Sequence, residues 1–320
     1  YQTVNADLQY AVTVSRTQLR KAMTSWGNLE EFITSLSNSL YNGAYIDMFR
    51  FTKNIIAGAY KDNKAVIQTV TAVSSEDTAK AFTEKARELF LNFQLPSTAY
   101  NAWTKNDGSG RPITTWCNPE DIVILVRNDV RAKLDVQQLA GAFNIEYADL
   151  LGRVIAVDNF DVYDDDGVKV FDGSAIVGGI FDRSWFRIKT QDMFMENFYN
   201  PNNRTMQYYL NVQRMYNMSL FANGVIFATS APTVNSTAVE FVEGATASVK
   251  AGEKITLHVK TTPYTANNNL SYTSSDTDAA TVGAQTGKYI EVTGVAAGSA
   301  TITVSDGTHS DTLTLTVTSA

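Results

Sequence analysis

The sequence predicts a mixed α+β protein that ends in an all-β sandwich, and three observations support this fold class. A long stretch near the start, residues 15–41, has helical periodicity. A strand–helix–strand pattern follows within residues 122–157. From Val234 onward the chain consists of short Thr- and Val-rich segments, with 18 Thr in 87 residues. Helices and strands without a regular βαβ repeat are typical of the α+β class.

Composition limits the kinds of protein to consider. The chain has 320 residues, 44% hydrophobic and 18% charged, which is typical of globular proteins. No apolar run approaches the roughly 18 residues that cross a bilayer. The chain opens with neither Met nor a signal peptide, so we expect a processed product or part of a longer chain. A single cysteine, Cys117, excludes internal disulfides and suits a reducing cytosol. The net charge of −7 argues against dominant sequence-independent binding to nucleic acid or anionic membranes.

A sharp change in composition near Pro232 predicts a domain boundary. All Trp, Met and Arg residues lie before this point. We therefore predict one domain over residues 1–231 and a second over 234–320. The second has 4 Lys against 8 acidic residues, which suits a solvated exterior module.

The first long helix is predicted over residues 15–41. Its apolar residues recur at steps of three and four, which places them on one face over about seven turns. Ser15 with Gln18 matches a capping box, and Asn42-Gly43 matches a helix stop. Residues 1–14 alternate partly and predict a strand that enters this helix. By itself, the helix pattern favours a core helix of an α+β enzyme.

The rest of the first domain divides into further helices and strands. Helices are predicted at 44–60, at 76–93 after an N-cap at Ser74 or Ser75, and from Asn128 onward. Asp135 with Gln138 resembles a second helix start in the last of these. Strands or extended segments are predicted at 64–73, 122–126, 154–157, 175–181, 185–188, 205–218 and 225–227. Loops and turns are predicted at 106–110, 164–167 and 200–203.

Candidate catalytic residues are scarce. The only histidines, His258 and His309, fall in the predicted sandwich and fit surface roles. Cys117 lacks a His or CxxC partner nearby and fits a small buried side chain. The run from Asp164 to Gly167 is short of the acidic ligand that an EF-hand needs, so a hairpin tip is favoured over a calcium site. Residues 193–218, rich in Met and Tyr, fit core or interface packing better than a cofactor box. We therefore predict no catalytic residue, no cofactor, no metal site and no enzyme.

The last domain resembles the bacterial immunoglobulin-like domains of group 2. The resemblance rests on VKAGEKITLHVKTTP (249–263), YTSSDTDAATV (272–282) and VTGVAAGSATITV (292–304). Tyr272 stands where the family often has Trp. An immunoglobulin-like β-sandwich over 234–320 is also what the short alternating strands predict.

The first domain resembles the major capsid proteins of podoviruses of the phi 29 type. The resemblance rests chiefly on LRKAMTSWGNLEEFITSLSNSLYNGA (19–44). LDVQQLAGAFNIEYADLLGRVIAVDNF (134–160), FDRSWFRI (181–188) and ENFYNPNNRTMQYYLNVQRMYNMSLFANGVIF (196–227) support it in the same order. It implies the Hong Kong 97-type capsid fold, with 1–14 as the returning strand of an extended loop, 15–41 as the spine helix of a peripheral domain, and about 115–190 in the axial domain. The family's N-terminal arm and outgoing loop strand have no counterpart in this sequence.

The resemblance implies a structural head protein of a tailed double-stranded DNA phage, located in the virion and assembled in the host cytoplasm. The expected partners are copies of itself in pentamers and hexamers, a scaffolding protein, the portal and packaged double-stranded DNA, without a membrane. The C-terminal domain would lie outside the shell or bridge subunits. A bacterial surface adhesin or glycan-binding protein is the alternative, because such immunoglobulin-like domains also occur there. A hydrolase would need a nucleophile or acid pair that the sequence does not offer.

Overall fold

A computed structural model describes residues 4–22, 26–106, 112–139, 154–164 and 166–319. Its helices are α1 Arg16–Ala22, α2 Trp26–Lys61, α3 Glu76–Asn92, α4 Ala102–Asn106 and α5 Asn128–Leu139. The strands of the first part are β1 Ala6–Ser15, β2 Val66–Thr69, β3 Ile122–Arg127, β4 Val154–Val157, β5 Val162–Tyr163, β6 Lys169–Phe171, β7 Ile176–Asp182, β8 Phe186–Asn200, β9 Thr205–Met218 and β10 Gly224–Ala228. Parts of the predicted elements and of the segments that carry the resemblance lie outside the described residues: 1–3, 23–25, 107–111, 140–153 and 165.

Helix α2 is much longer than predicted, and the expected stop at Asn42-Gly43 is wrong. The helix runs 36 residues, about 54 Å, so the helices predicted at 15–41 and 44–60 are joined. The chain turns away only at Asn63, which has a left-handed φ of 52°. There the N–H of Asn63 donates to the carbonyl of Tyr60 at 2.9 Å. Asparagine tolerates this conformation better than most residues. An asparagine therefore does mark the end of the helix, but it is Asn63, about 20 residues after the predicted stop.

The predicted capping box at the start of the helical region is confirmed. The N–H of Ser15 donates to Gln18 Oε1 at 2.9 Å, and the N–H of Gln18 donates to Ser15 Oγ at 3.3 Å. This box begins the short helix α1.

The three-stranded sheet has the order β1-β9-β8 and lies against α2. β1 pairs antiparallel with β9 along its whole length, from Ala6 opposite Arg214 to Ser15 opposite Thr205. β8 and β9 form a long hairpin through the turn predicted at 200–203. The sheet therefore joins the start of the chain to residues about 200 positions away.

The five-stranded sheet has the order β2-β10-β7-β3-β4 and forms the second layer. β3 occupies an interior position, as its continuous apolar run predicts. One face packs against α3 and α5, with Ile124 and Val126 in that core. The other face packs against the last turns of α2, with Leu125 and Trp185 in that core. Two of the five strands, β2 and β10, come from outside residues 115–190.

Helix α3 agrees with its sequence signals, whereas α5 departs from one of them. Ser75 caps α3, and Ala79, Phe82, Ala86 and Leu89 are buried. The second start expected at Asp135 is wrong, because α5 continues through this residue from Asn128 to Leu139.

The C-terminal part forms two facing four-stranded sheets. Their orders are β11-β13-β16-β15 and β12-β18-β17-β14. The strands are β11 Ala238–Phe241, β12 Thr246–Lys250, β13 Lys254–Thr262, β14 Ser271–Ser274, β15 Ala280–Thr286, β16 Tyr289–Gly294, β17 Gly298–Ser305 and β18 Ser310–Thr318. Alternate apolar residues such as Leu313, Leu315 and Val317 point into one core, which confirms the expected sandwich.

Candidate assembly surface

One face of α2 packs closely on the three-stranded sheet. Leu40 and Ala44 are buried against Leu210 and Val212 of β9. Tyr10 of β1 lies over Gly43, where an added Cβ would stand 3.0 Å from the ring carbon Cδ1. The helix and the sheet therefore approach each other more closely than a larger residue at position 43 would permit.

Polar side chains tie the same face together. Tyr10 Oη donates to Asp47 Oδ2 at 2.8 Å. Burial raises the pKa of Tyr10, and the hydrogen bond to Asp47 raises it further. Arg214, almost fully buried, donates through Nη1 to the carbonyl of Ala44 at 3.2 Å. These contacts hold the middle of α2 in one position on the sheet.

The opposite face of α2 is apolar as well, and it is exposed. We call Tyr41, Tyr45, Ile46 and Phe49 the helix stripe. Ile46 is 68% exposed and Tyr45 59% exposed, although Leu40 and Ala44 on the sheet side of the same turns are buried. Neighbouring exposed apolar side chains on a protein surface often mark an interaction site. The helix stripe is therefore a candidate contact surface of α2.

A hairpin beside the helix stripe extends this surface. Arg50 Nη2 donates to the carbonyls of Tyr163 at 2.6 Å and Asp164 at 3.1 Å, which fixes the β5–β6 hairpin to α2. Tyr163, Val168 and Val170 of this hairpin are exposed large hydrophobic residues.

The cation Lys53 stands between the stripe and the end of β4. Its Nζ lies 2.7 Å from Asp158 Oδ1 and 5.1 Å from the centre of the Phe49 ring. Phe49 is therefore held in place while it stays 47% exposed.

The hairpin end of β8 and β9 is a second apolar region. Met215 and Tyr216, near the base, are buried, which confirms core packing for this part of the Met- and Tyr-rich run. Near the turn, large apolar side chains on β8 are exposed: Phe194, Met195, Phe198 and Tyr199. Interface packing remains a prediction for this end.

Each of the two histidine rings has a carboxylate as its partner. His258, in β13 as predicted, has Nδ1 2.5 Å from Glu243 Oε1. His309, directly before β18, has Nδ1 3.0 Å from Asp306 Oδ2. Nucleophilic catalysis would need a hydroxyl or thiol within hydrogen-bond reach of the ring, and these rings face carboxylates at the surface of the sandwich.

Cys117 is buried, as the sequence predicts. Burial, with a smaller effect of Asp182, raises the pKa of its thiol to about 12. A thiol in this state is a poor nucleophile at neutral pH.

The carboxylate of Asp164 stabilises the turn of its own hairpin. Asp164 Oδ1 accepts the backbone N–H of Asp166 at 3.1 Å and of Val168 at 2.8 Å. Gly167 takes the left-handed φ of 78° that closes the turn. The predicted hairpin is confirmed here, with β5 and β6 as its strands.

Within the described ranges, no group of three or more His, Cys, Asp or Glu side chains is placed to hold a metal ion. Of the helices that the structure describes, none has the length and apolar character to cross a membrane.

The exposure of the helix stripe is not anticipated by the sequence pattern. Ile46 and Phe49 read as ordinary apolar positions of a predicted helix over 44–60. The signal in the sequence is that residues 40–49 carry apolar side chains on both the sheet side and the outer side once the helix is taken as continuous. The wrong stop at Asn42-Gly43 divides this segment and conceals it.

A long helix on a three-stranded sheet, joined to a mixed sheet, defines a phage capsid fold. A chain in the capsid structure of Staphylococcus phage Andhra is similar, with a TM-score of 0.54, 16% identity and 70% of each chain covered. A chain in the structure of the head fiber and inner core protein of bacteriophage P68 gives a TM-score of 0.53 with 14% identity over 71% of each chain. These likenesses confirm the predicted fold.

The chain belongs to the Phi29-like phage major capsid protein family, whose model matches residues 1–228. Residues 236–317 match the bacterial Ig-like domain of group 2. The major capsid protein of Bacillus phage B103 is 31% identical over 256 residues, which cover 79% of this chain and 53% of that protein. The major capsid protein of Bacillus phage GA-1 is 29% identical over 248 residues, 77% of this chain and 49% of that protein. The chain thus spans about half the length of these relatives.

Proposed function

We propose that this protein is a structural subunit of the head shell of a tailed double-stranded DNA phage. The observation that carries this proposal is α2, whose middle turns are apolar on both faces. One face is covered by the chain's own sheet, and the helix stripe on the other face is left for a second copy. Membership of a capsid protein family supports this assignment.

Shell assembly needs surfaces of this kind. The helix stripe and the hairpin end of β8 and β9 are different patches on one chain. Contacts between different patches are heterologous, and they close into rings when the rotation permits. Pentamers and hexamers of this chain are the proposed rings, and the virion shell is the proposed location.

The remaining roles follow from this assignment. The chain has no catalytic activity, and a scaffolding protein and the portal join it during assembly in the host cytoplasm. It lies around packaged DNA without binding particular sequences. Residues 1–231 form the shell part, with residues 1–14 at the returning side of an extended loop and about 115–190 in the axial part. Residues 234–320 lie on the outer surface.

Electron microscopy of the purified, expressed chain, alone and with its scaffolding protein, tests the proposal. Closed shells or ring-shaped capsomers are the expected result. A monodisperse monomer under both conditions, with affinity for glycans, would instead favour the surface adhesin, which is the alternative function.

A further inference from the structure

A short loop of the sandwich lies against the end of α2. The loop comprises residues 263–268, between β13 and β14. Asn63 Nδ2 donates to the carbonyl of Thr265 in this loop at 2.9 Å. Asn63 is only 8% exposed, and its left-handed backbone ends α2. The residue that stops the helix therefore also contacts the sandwich.

The same loop holds the linker between the two parts of the chain. The Val234 N–H donates to Asn267 Oδ1 at 2.9 Å, and Asn267 Nδ2 donates to the carbonyl of Pro232 at 2.8 Å. On the other side, Tyr60 Oη of α2 donates to the carbonyl of Ser230 at 2.7 Å. The linker is thus fastened at one end to α2 and at the other to the loop.

Lys288 supports the loop from within the sandwich. Its Nζ donates to Thr261 Oγ1 at 2.6 Å and to the carbonyl of Tyr264, and it lies 3.9 Å from the centre of the Tyr264 ring. Ammonium groups near an aromatic face are attracted to it. The loop is therefore held from both sides, by Asn63 on the helix and by Lys288 in the sandwich.

We propose that the loop 263–268 is a joint that sets the orientation of the sandwich relative to α2, with Asn63 as its contact on the helix. Domains joined by an exposed linker otherwise move relative to each other. Here the hydrogen bonds converge on one loop and on the linker itself, so the sandwich points in one direction. The proposal depends only on contacts within one chain, and its failure would leave the proposed shell function untouched.

Asn63→Asp and Asn63→Gly remove the side-chain hydrogen bond to Thr265 while they preserve the left-handed backbone at this position. Both accept a left-handed backbone more readily than most residues do. Aspartate places an acceptor against the Thr265 carbonyl, and glycine removes the donor. Asn38→Asp, on the exposed outer face of α2, is the matched control because it adds the same charge away from the joint.

Distances between two spin labels report the orientation directly. The labels are placed at exposed positions, through Ser39→Cys on α2 and Ser299→Cys on the sandwich, in a Cys117→Ala background. The background protein and Asn38→Asp are expected to give one narrow distance distribution. Both Asn63 variants are expected to lose it and to give a broad one, with circular dichroism verifying that they are folded. A narrow distribution in either Asn63 variant, or a broad one in the background protein, would overturn the proposal.

Discussion

Tyr10 of β1 lies on Gly43 of α2 at a distance that leaves almost no room for a side chain. A Cβ at Gly43 would lie 3.0 Å from Cδ1 and 3.4 Å from Cε1 of the ring. The ring cannot move away freely, because its hydroxyl is bonded to Asp47 on the next turn of the same helix. Close packing against Tyr10 thus explains the glycine at position 43, which is not a helix stop.

Gly43→Ala and Gly58→Ala should differ in their effect on stability. In an open helix position, replacing Gly with Ala stabilises a protein by about 0.5–1 kcal/mol. Gly58, also in α2, has nothing within 4 Å of an added Cβ, so it should show this gain. Gly43→Ala should fall below Gly58→Ala by about 1 kcal/mol or more in the free energy of unfolding, since the ring must shift. Urea denaturation measures both.

The double variant Gly43→Ala with Tyr10→Ala provides the control. Compared with Tyr10→Ala alone, the double variant should gain the ordinary helix increment in the free energy of unfolding, because the ring no longer opposes the added Cβ. If Gly43→Ala already stabilises as much as Gly58→Ala while Tyr10 is present, the close contact is not a constraint.

Lys288 should make stability depend on pH in the alkaline range. Burial lowers the pKa of its ammonium group from 10.5 to about 8. Between these two values the unfolded chain binds more protons than the folded one, so the stability of the folded chain rises with pH in this window. Lys288→Met removes the titrating group and should therefore lose this rise.

Urea midpoints at pH 7 and pH 10 measure the effect in both proteins. The wild-type chain should gain stability relative to Lys288→Met as the pH increases, because all other titrating groups are shared. A constant difference between the two proteins, or one of opposite sign, would contradict the lowered pKa.

A chain that ends after Ala231 should still form shells. The core of the sandwich draws its residues from 239–317, and those of the first part come from residues up to 228. Removing the sandwich therefore leaves the other cores complete. Sedimentation and electron microscopy of the truncated chain measure assembly, and a soluble but unassembled product would indicate that the sandwich bridges subunits.

The sequence predicts those elements whose signals are local. Ser75 caps α3, Ile122 begins an interior strand, and the short Thr-rich strands form a sandwich, because each depends on neighbours in the chain. The pairing of β1 with β9 could not be predicted this way, because it joins residues about 200 positions apart.

The errors have a physical cause as well. An Asn-Gly pair does not by itself end a helix. The apolar period of α2 continues past this pair, from Leu40 through Ala44 to Phe51, and therefore favours a continuous helix. Asp135 shows the same point, because the backbone of α5 continues as a helix through this residue to Leu139. The candidate assembly surface is not visible in the sequence, because the exposure of one face of α2 depends on which face the three-stranded sheet covers.

Assembly of the variant Ile46→Asp tests the central claim most directly. Ile46 is the most exposed residue of the helix stripe, and Asn38→Asp places the same charge on the outer face two turns earlier. Both variants should unfold at the wild-type urea midpoint, because neither side chain is buried in the chain. Shell yield by electron microscopy should fall at least about tenfold for Ile46→Asp, since a charge buried at an interface is costly, and stay at the wild-type level for Asn38→Asp. Normal shells from Ile46→Asp would contradict the claim that this surface joins the subunits.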